Sequence, residues 1–431
     1  MIQPETKYSP AVTSSQNYRP ALAVITTVFF MWGFVTVLND ILVPHLKAIF
    51  ELNYTQIMLI QFTFFSAYFL MSMPAAKVIS WLGYKKSVVL GLAVMGAGAL
   101  LFLPAASAPS YAMFLAALYV LASGMTILQV AANPYVAVLG SSDTASSRLN
   151  LAQAFNSLGT AIGPFLGGML ILSAVKKSAA ELGAMTSDQL QAHRLLEASS
   201  VKLPYLGIAA LLFILAFAIS RFNLPVLENI EETHDHHASS RDSVWKHRHL
   251  VLGAIGIFIY VGAEVSIGSF LVNYFSQPDI GGFSEKDAAG FVSFYWGGAM
   301  VGRFLGSALM QKIDPGRVLG VAALVASALV TTSILTTGHV AMWSIILVGL
   351  FNSVMFPTIF TLAIDGLGKL TAKGSGVLVM AIVGGAILPI IQGALADRIG
   401  IHLAFTLPAI CYLYIVYYGW RGSRHAGTQT A

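Results

Sequence analysis

Apolar residues run through this chain in long, nearly unbroken stretches, not at the alternating spacing of a half-buried strand or the 3.6-residue spacing of a surface helix. A helix that crosses a bilayer needs about 20 mainly apolar residues. Twelve such stretches are present, at residues 21 to 44, 55 to 78, 86 to 106, 111 to 139, 148 to 172, 203 to 222, 250 to 275, 284 to 310, 317 to 337, 341 to 365, 373 to 396 and 401 to 420. The pattern predicts an all-α membrane protein of twelve transmembrane helices. The first run comes after a polar start and ends at Asp40 and Pro44 instead of at a small-residue cleavage site. It is therefore read as a retained span and not as a leader that is removed.

Two polar segments stand out between the runs. Residues 223 to 248 carry Glu228, Glu231 and Glu232 and the tract His234, Asp235, His236, His237. This segment is expected to be a solvated cytoplasmic linker between an N-terminal six-helix half, 1 to 222, and a C-terminal six-helix half, 249 to 431, although a His-rich tract can also bind metal. Residues 174 to 202 mix charges with leucines and are expected to form an extracytoplasmic loop with a surface helix. Helix breakers recur in the two halves: Asn133-Pro134 as Phe356-Pro357, and Gly163-Pro164 as Leu388-Pro389, at a nearly constant offset. The loop Gly83-Tyr84-Lys85-Lys86 likewise has a counterpart in Asp314-Pro315-Gly316-Arg317. Such repetition implies a parallel duplication, which in transporters places a substrate between the halves near the midplane. Each proline also removes a backbone donor and so leaves a carbonyl for a neighbour, a water or a ligand. For any one proline or glycine, ordinary helix packing is the competing explanation.

Composition agrees with the pattern. Hydrophobic residues make up 56% of the chain and charged residues 10%, against roughly 25% charged in soluble domains. The net charge of +5 does not indicate nucleic acid, because the basic residues are spread over short connections. With both termini in the cytoplasm, 17 of the 24 Lys and Arg residues fall on that side, Arg303 counted among them. The other side keeps Lys47, Lys176, Lys177, Arg194, Lys202, Lys286 and Arg398. The positive-inside rule then places both termini in the cytoplasm. A single cysteine, Cys411, allows neither a disulfide nor a cysteine metal site within one chain.

Chemistry inside the membrane narrows to a few side chains. A carboxylate within a span is costly and usually faces a cavity on an ion or substrate path. Asp40 in the first span and Glu264 in the seventh are the two deep candidates, with structural hydrogen bonding as the rival role. Gln129 and Asn133 are four apart in the fourth span, and Gln153 and Asn156 three apart in the fifth, so each pair shares a helix face. Amides offer paired donors and acceptors, which suit the hydroxyl-rich edge of a neutral sugar. Gln61, Asn273, Asn352 and Gln392 are scattered amides for which inter-helix hydrogen bonding is equally reasonable. Trp32, Tyr260, Tyr295 and Trp296 could stack on a sugar ring, though most membrane aromatics pack or mark interfaces.

The runs Phe29-Phe30-Met31-Trp32-Gly33 with Leu38-Asn39-Asp40-Ile41-Leu42-Val43-Pro44, Gln129 to Gly140, Arg148 to Gly159, and Phe356-Pro357-Thr358-Ile359-Phe360 strongly resemble the fucose/glucose/galactose cation symporters of the major facilitator superfamily. The resemblance extends over both halves. It implies that Asp40 is a cation-linked carboxylate and that Gln153 and Asn156 line a sugar site. Gln129 stands where the fucose/proton members have a glutamate, which removes one protonatable group and resembles the glucose/galactose branch. The run around Glu264 points the same way. The expected function is cation-coupled symport of a hexose such as glucose or galactose by alternating access. Asp40 would bind the coupling cation, sodium or a proton, with no other cofactor. Gln61, Gln129, Asn133, Gln153, Asn156, Glu264, Trp296 and Asn352 would face the sugar. The expected setting is a monomer in the lipid bilayer of a bacterial inner membrane, with no nucleic-acid partner. The alternative is an exporter of drugs or other metabolites on the same fold. No Cys-His or Ser-His-Asp arrangement suggests an enzyme, and no Walker-type glycine loop suggests ATP-driven transport.

Overall fold

The computed structural model describes residues 18–50, 54–107, 110–171, 185–225 and 243–424. Among them there is no strand, and each of the twelve runs lies in helix, some with a short break. In chain order the helices are α1 (Arg19–Phe50), α2 (Tyr54–Ser107), α3 (Tyr111–Val138), α4 (Ala145–Ile171), α5 (Ser187–Ser199), α6 (Lys202–Arg221), α7 (Arg248–Phe275), α8 (Glu285–Leu309), α9 (Pro315–Leu335), α10 (Gly338–Asn352), α11 (Met355–Ile364), α12 (Thr371–Met380), α13 (Gly384–Ile399), α14 (Ile401–Ala404) and α15 (Thr406–Tyr417). Helix α5 lies in the polar segment expected to hold a surface helix. The His-rich tract at His234 to His237 lies outside the described residues.

Local sequence explains the breaks. Helix α2 is 54 residues long, about twice what a crossing needs, and it contains two of the predicted runs. They are separated at Gly83, whose φ of 74° and ψ of 169° fall in a region open essentially to glycine alone. The tenth span divides into α10 and α11 at Ser353 and Val354, just before Pro357. The eleventh is α12 and α13 joined by a 3-10 turn at Ala381–Val383, ahead of Pro389. Asp314 caps α9 by accepting the Arg317 amide at 2.9 Å, with Pro315 at the first helical position, where its missing N–H is no loss.

The surface is apolar, unlike that of a soluble protein, and the largely apolar interior holds a set of buried amides. Phe62, Trp81, Phe217 and Ile390 are 65 to 72% exposed, whereas Gln129, Asn133, Asn150, Gln153, Asn352 and Gln392 are buried. Lipid is the solvent for such an exterior.

Packing of the first six spans is matched in the last six. Helix α1 packs on α4, and α2 on α3 and α6; correspondingly α7 packs on α13, α8 on α10, and α9 on α15. Across the middle, α4 meets α8 and α11, and α12 meets α2 and α3. Hydrogen bonds join the two sets at the end where α4 and α12 begin and α8 and α11 finish. Ser147 Oγ donates to the Ser307 carbonyl at 2.7 Å and Ser307 Oγ to the Ser147 carbonyl at 2.9 Å. Ser146 and Thr361 share a bond of 2.6 Å, and Asn150 Nδ2 donates to Thr358 Oγ1 at 3.2 Å. This end of the bundle is shut.

Replacing Gly83 by alanine forces a Cβ into that backbone conformation at a cost of about 1–3 kcal/mol. Gly83→Ala is expected to lower the thermal unfolding midpoint of the detergent-solubilised protein, whereas Gly207→Ala, where a Cβ meets nothing within 4 Å, leaves it unchanged.

Candidate functional site

Four helices bring one group of amides together. Gln129 and Asn133 project from one face of α3, and Gln153 and Asn156 from one face of α4. Gln153 Nε2 donates to Asn133 Oδ1 at 3.3 Å. Gln129 Nε2 donates to the hydroxyl of Tyr68 on α2 at 2.7 Å. Asn156 Nδ2 donates to the Phe29 carbonyl of α1 at 3.0 Å. All five side chains, Gln129, Asn133, Gln153, Asn156 and Tyr68, are buried. Asn133 Nδ2 has no hydrogen-bond partner, and an unmade bond on a buried amide costs about 1–3 kcal/mol. A hydroxyl-bearing ligand would satisfy it.

Two devices fix this register. Arg148 donates to the carbonyls of Val136 at 3.2 Å, Ala137 at 2.6 Å and Ser141 at 2.7 Å, which ties α4 to the carbonyl end of α3, where a cation is favoured. Gly33 allows α1 to lie directly on α4, since a Cβ there would strike the backbone carbonyl and side-chain amide of Asn156.

A second polar group is built from later spans. Tyr260 donates to Glu264 Oε1 at 2.7 Å. Asn352 Nδ2 donates to the hydroxyls of Tyr295 at 2.7 Å and Tyr412 at 3.3 Å, and its Oδ1 is unpartnered. Trp296 stands 5.1 Å edge-on to Tyr295 and remains 48% exposed, so part of its ring is open to a ligand or to lipid. Arg303, on α8, donates from Nε to the Ser353 carbonyl at 3.2 Å and from Nη1 to the Gln153 carbonyl at 3.2 Å and to the Ser157 hydroxyl. This residue therefore lies within a span and links the two groups; counting it with the cytoplasmic loop charges is corrected by these contacts.

Other expected residues stand apart. Gln61 is half-buried on α2, seven residues before Tyr68 and so on the same helix face. Gln392 of α13 is buried with both amide atoms unpartnered, as is Ser266 Oγ of α7, and no hydrogen bond joins it to either group. Asn273 is exposed. Asp40 lies in α1 one turn beyond Thr36, whose hydroxyl reaches Met125 of α3 at 3.7 Å; the Asp40 side chain lies outside the described residues. Among the described residues no three His, Cys, Asp or Glu gather to hold a metal ion. A recess of about 470 Å³ between α1 and α4, lined by Arg19, Thr26, Phe30 and Phe155, contains none of the expected site residues. Tyr68, Tyr412 and Arg303 were missed by sequence reasoning. Arg303 carried a usable signal, an ionisable residue inside the apolar run Val301 to Leu309.

A profile of the Major Facilitator Superfamily matches residues 22–385. The chain belongs to that superfamily. It is 56% identical over 416 residues to the glucose/galactose transporter of Brucella abortus biovar 1 (strain 9-941), with 96% of each chain covered. It is 36% identical over 415 residues to the L-fucose-proton symporter of Escherichia coli (strain K12), covering 93% of this chain and 92% of the relative. Among solved structures, that of the superfamily transporter FucP in the outward conformation superposes with a TM-score of 0.87 at 34% identity, covering 95% of this chain and 100% of the other. These relatives are transporters and not enzymes.

Gly33→Ala drives a methyl group into Asn156 and is expected to destabilise the protein by about 1–3 kcal/mol, read as a lower thermal unfolding midpoint. Gly290→Ala, with open space around its Cβ, is the control and is expected to match wild type.

Proposed function

We propose that this superfamily member is a secondary active symporter that takes up a hexose of the glucose or galactose class by alternating access across a bacterial inner membrane. The observation that carries the reading is the buried cluster of Gln129, Asn133, Gln153, Asn156 and Tyr68, with a free amide donor on Asn133. Neutral donors and acceptors of both kinds, without a fixed charge in the group, suit the hydroxyls of an uncharged sugar. Trp296 and Asn352 complete the site from the second set of spans, in keeping with a parallel duplication divided at residues 223 to 248. The 56% identical relative, named for glucose and galactose transport, supports this class of substrate.

Asp40 is assigned the coupling cation, and a proton is the cation of choice. The relatives whose names state a coupling ion are L-fucose-proton symporters; sodium, equally open on the residues alone, has no such support. With both termini in the cytoplasm, the shut end of the bundle is the cytoplasmic one, so the form described is open or opening to the outside. The likeness to the outward conformation of FucP supports that assignment.

Proteoliposomes given pH and sodium gradients separately test the reading. Labelled glucose or galactose should accumulate under an inward proton gradient, and Asp40→Asn should retain counterflow while losing accumulation. An Asp40→Asn protein that still concentrates the sugar would remove Asp40 from coupling. Within the site, Gln153→Leu deletes the bond to Asn133 and is expected to raise the KM for hexose about 10- to 100-fold, the equivalent of about 1–3 kcal/mol. An unchanged KM in uptake assays would place the sugar elsewhere.

A further inference from the structure

Arg303 does more than close a gap between helices. Its Nε donates to Ser353, and the Ser353 carbonyl is the one left without its helical donor by Pro357, four residues on. That contact stays within the last six spans. Its Nη1 instead reaches across to α4, taking the Gln153 carbonyl and the Ser157 hydroxyl. Arg303 thus has a fixed side and a crossing side, and the crossing side ends on the residue whose side chain holds Asn133.

Glu264 stands on α7, which packs against α8, the helix that carries the same guanidinium. A Cβ on Gly268 of α7 would lie 3.1 Å from the Trp296 ring, which brings these stretches of the packed helices α7 and α8 alongside one another. Successive spans run antiparallel, so Glu264, one turn before Gly268 on α7, and Arg303, two turns after Trp296 on α8, both lie on the same side of that contact along the bundle. Trp296 and Arg303 are seven apart and share one face of α8. The Tyr260 hydroxyl holds the Glu264 carboxylate at 2.7 Å. A guanidinium keeps its charge, and leaving it unpaired away from water is too costly to persist. If α4 moves off when the shut end opens, Nη1 needs another acceptor on its own side.

Resting on the alternating-access reading above, we propose that Arg303 is a positioning residue that exchanges partners in each transport cycle. Nε stays on the Ser353 carbonyl as a pivot. Nη1 holds Gln153 and Ser157 while the cytoplasmic end is shut, and turns to Glu264 when it opens. Glu264 thereby acts as the receiving group for the latch, a role distinct from contact with the sugar. The same movement releases the backbone of Gln153, so opening and loosening of the amide cluster occur together.

The two residues then have opposite effects on the conformational equilibrium. Spin labels on Ser142→Cys and Lys312→Cys, both exposed at the shut end, in a Cys411→Ser background, report its opening by pulsed dipolar spectroscopy without added sugar. Arg303→Met removes the latch and should raise the open-to-closed ratio about tenfold, while Glu264→Gln strands Arg303 on α4 and should lower it about tenfold. Arg303→Lys, which keeps the charge but not the fork, should fall between wild type and Arg303→Met, and it is the informative variant if Arg303→Met does not fold. Shifts in the same direction, or no shift in proteins with wild-type helical content, would overturn the exchange. Hexose uptake by wild type separates the two claims. Accumulation without divergence of the variants refutes the exchange alone, and divergence without accumulation supports the exchange and refutes the sugar reading.

Discussion

A carbonyl freed inside a bilayer has no water to turn to, so the protein must supply a donor or forgo the proline that frees it. Two prolines at corresponding positions in the chain meet this constraint in the same way. Pro134 of α3 leaves the Val130 carbonyl, which accepts the Ser375 hydroxyl of α12 at 2.8 Å. Pro357 of α11 leaves the Ser353 carbonyl, which accepts Arg303 of α8. The first bond joins the early spans to the late ones, and the second anchors the arginine that does the same. Helix breakers that would only weaken a soluble helix have become the attachment points between spans.

Closure combines neutral hydroxyls at the end of the bundle with the Arg303 guanidinium, which reaches α4 deeper within it. Serine and threonine hydroxyls at Ser146, Ser147, Ser307 and Thr361 bond across the shut end, and each such bond contributes on the order of 1 kcal/mol net. A few bonds of this size can be remade within a cycle, whereas a large apolar interface could not. Close approach is set by small residues, as where Gly33 meets Asn156, and packing in lipid depends on such contacts because no hydrophobic force drives helices together there. The same close contact that stabilises α1 on α4 also orients an amide of the proposed site.

Much of this was legible in the sequence. The twelve spans, the break at Gly83 and the pairing of Gln129 with Asn133 and of Gln153 with Asn156 on shared faces come from run length and helical spacing alone. The role of the prolines was legible as a type of event, a freed carbonyl, but not its partner, because a donor such as Ser375 is 245 residues from its acceptor and nothing local announces it. Arg303 was misplaced because counting charges by side of the membrane ignores depth within a span. Tyr68 and Tyr412 looked like any membrane aromatic until the structure set their hydroxyls against Gln129 and Asn352. Gln392, an amide by the same sequence criteria as the others, is buried on α13 without a hydrogen-bond partner, since residue type says what a side chain can bond and not which way it faces.

At the centre of the account is a single hexose site, formed by the α3–α4 amides on one side and by Asn352 and Trp296 on the other. A structure determined with bound glucose or galactose tests it directly. The account predicts sugar density between these groups, with a hydroxyl within hydrogen-bonding distance of Asn133 Nδ2. Density elsewhere, with Asn133 Nδ2 still unpaired, would contradict it.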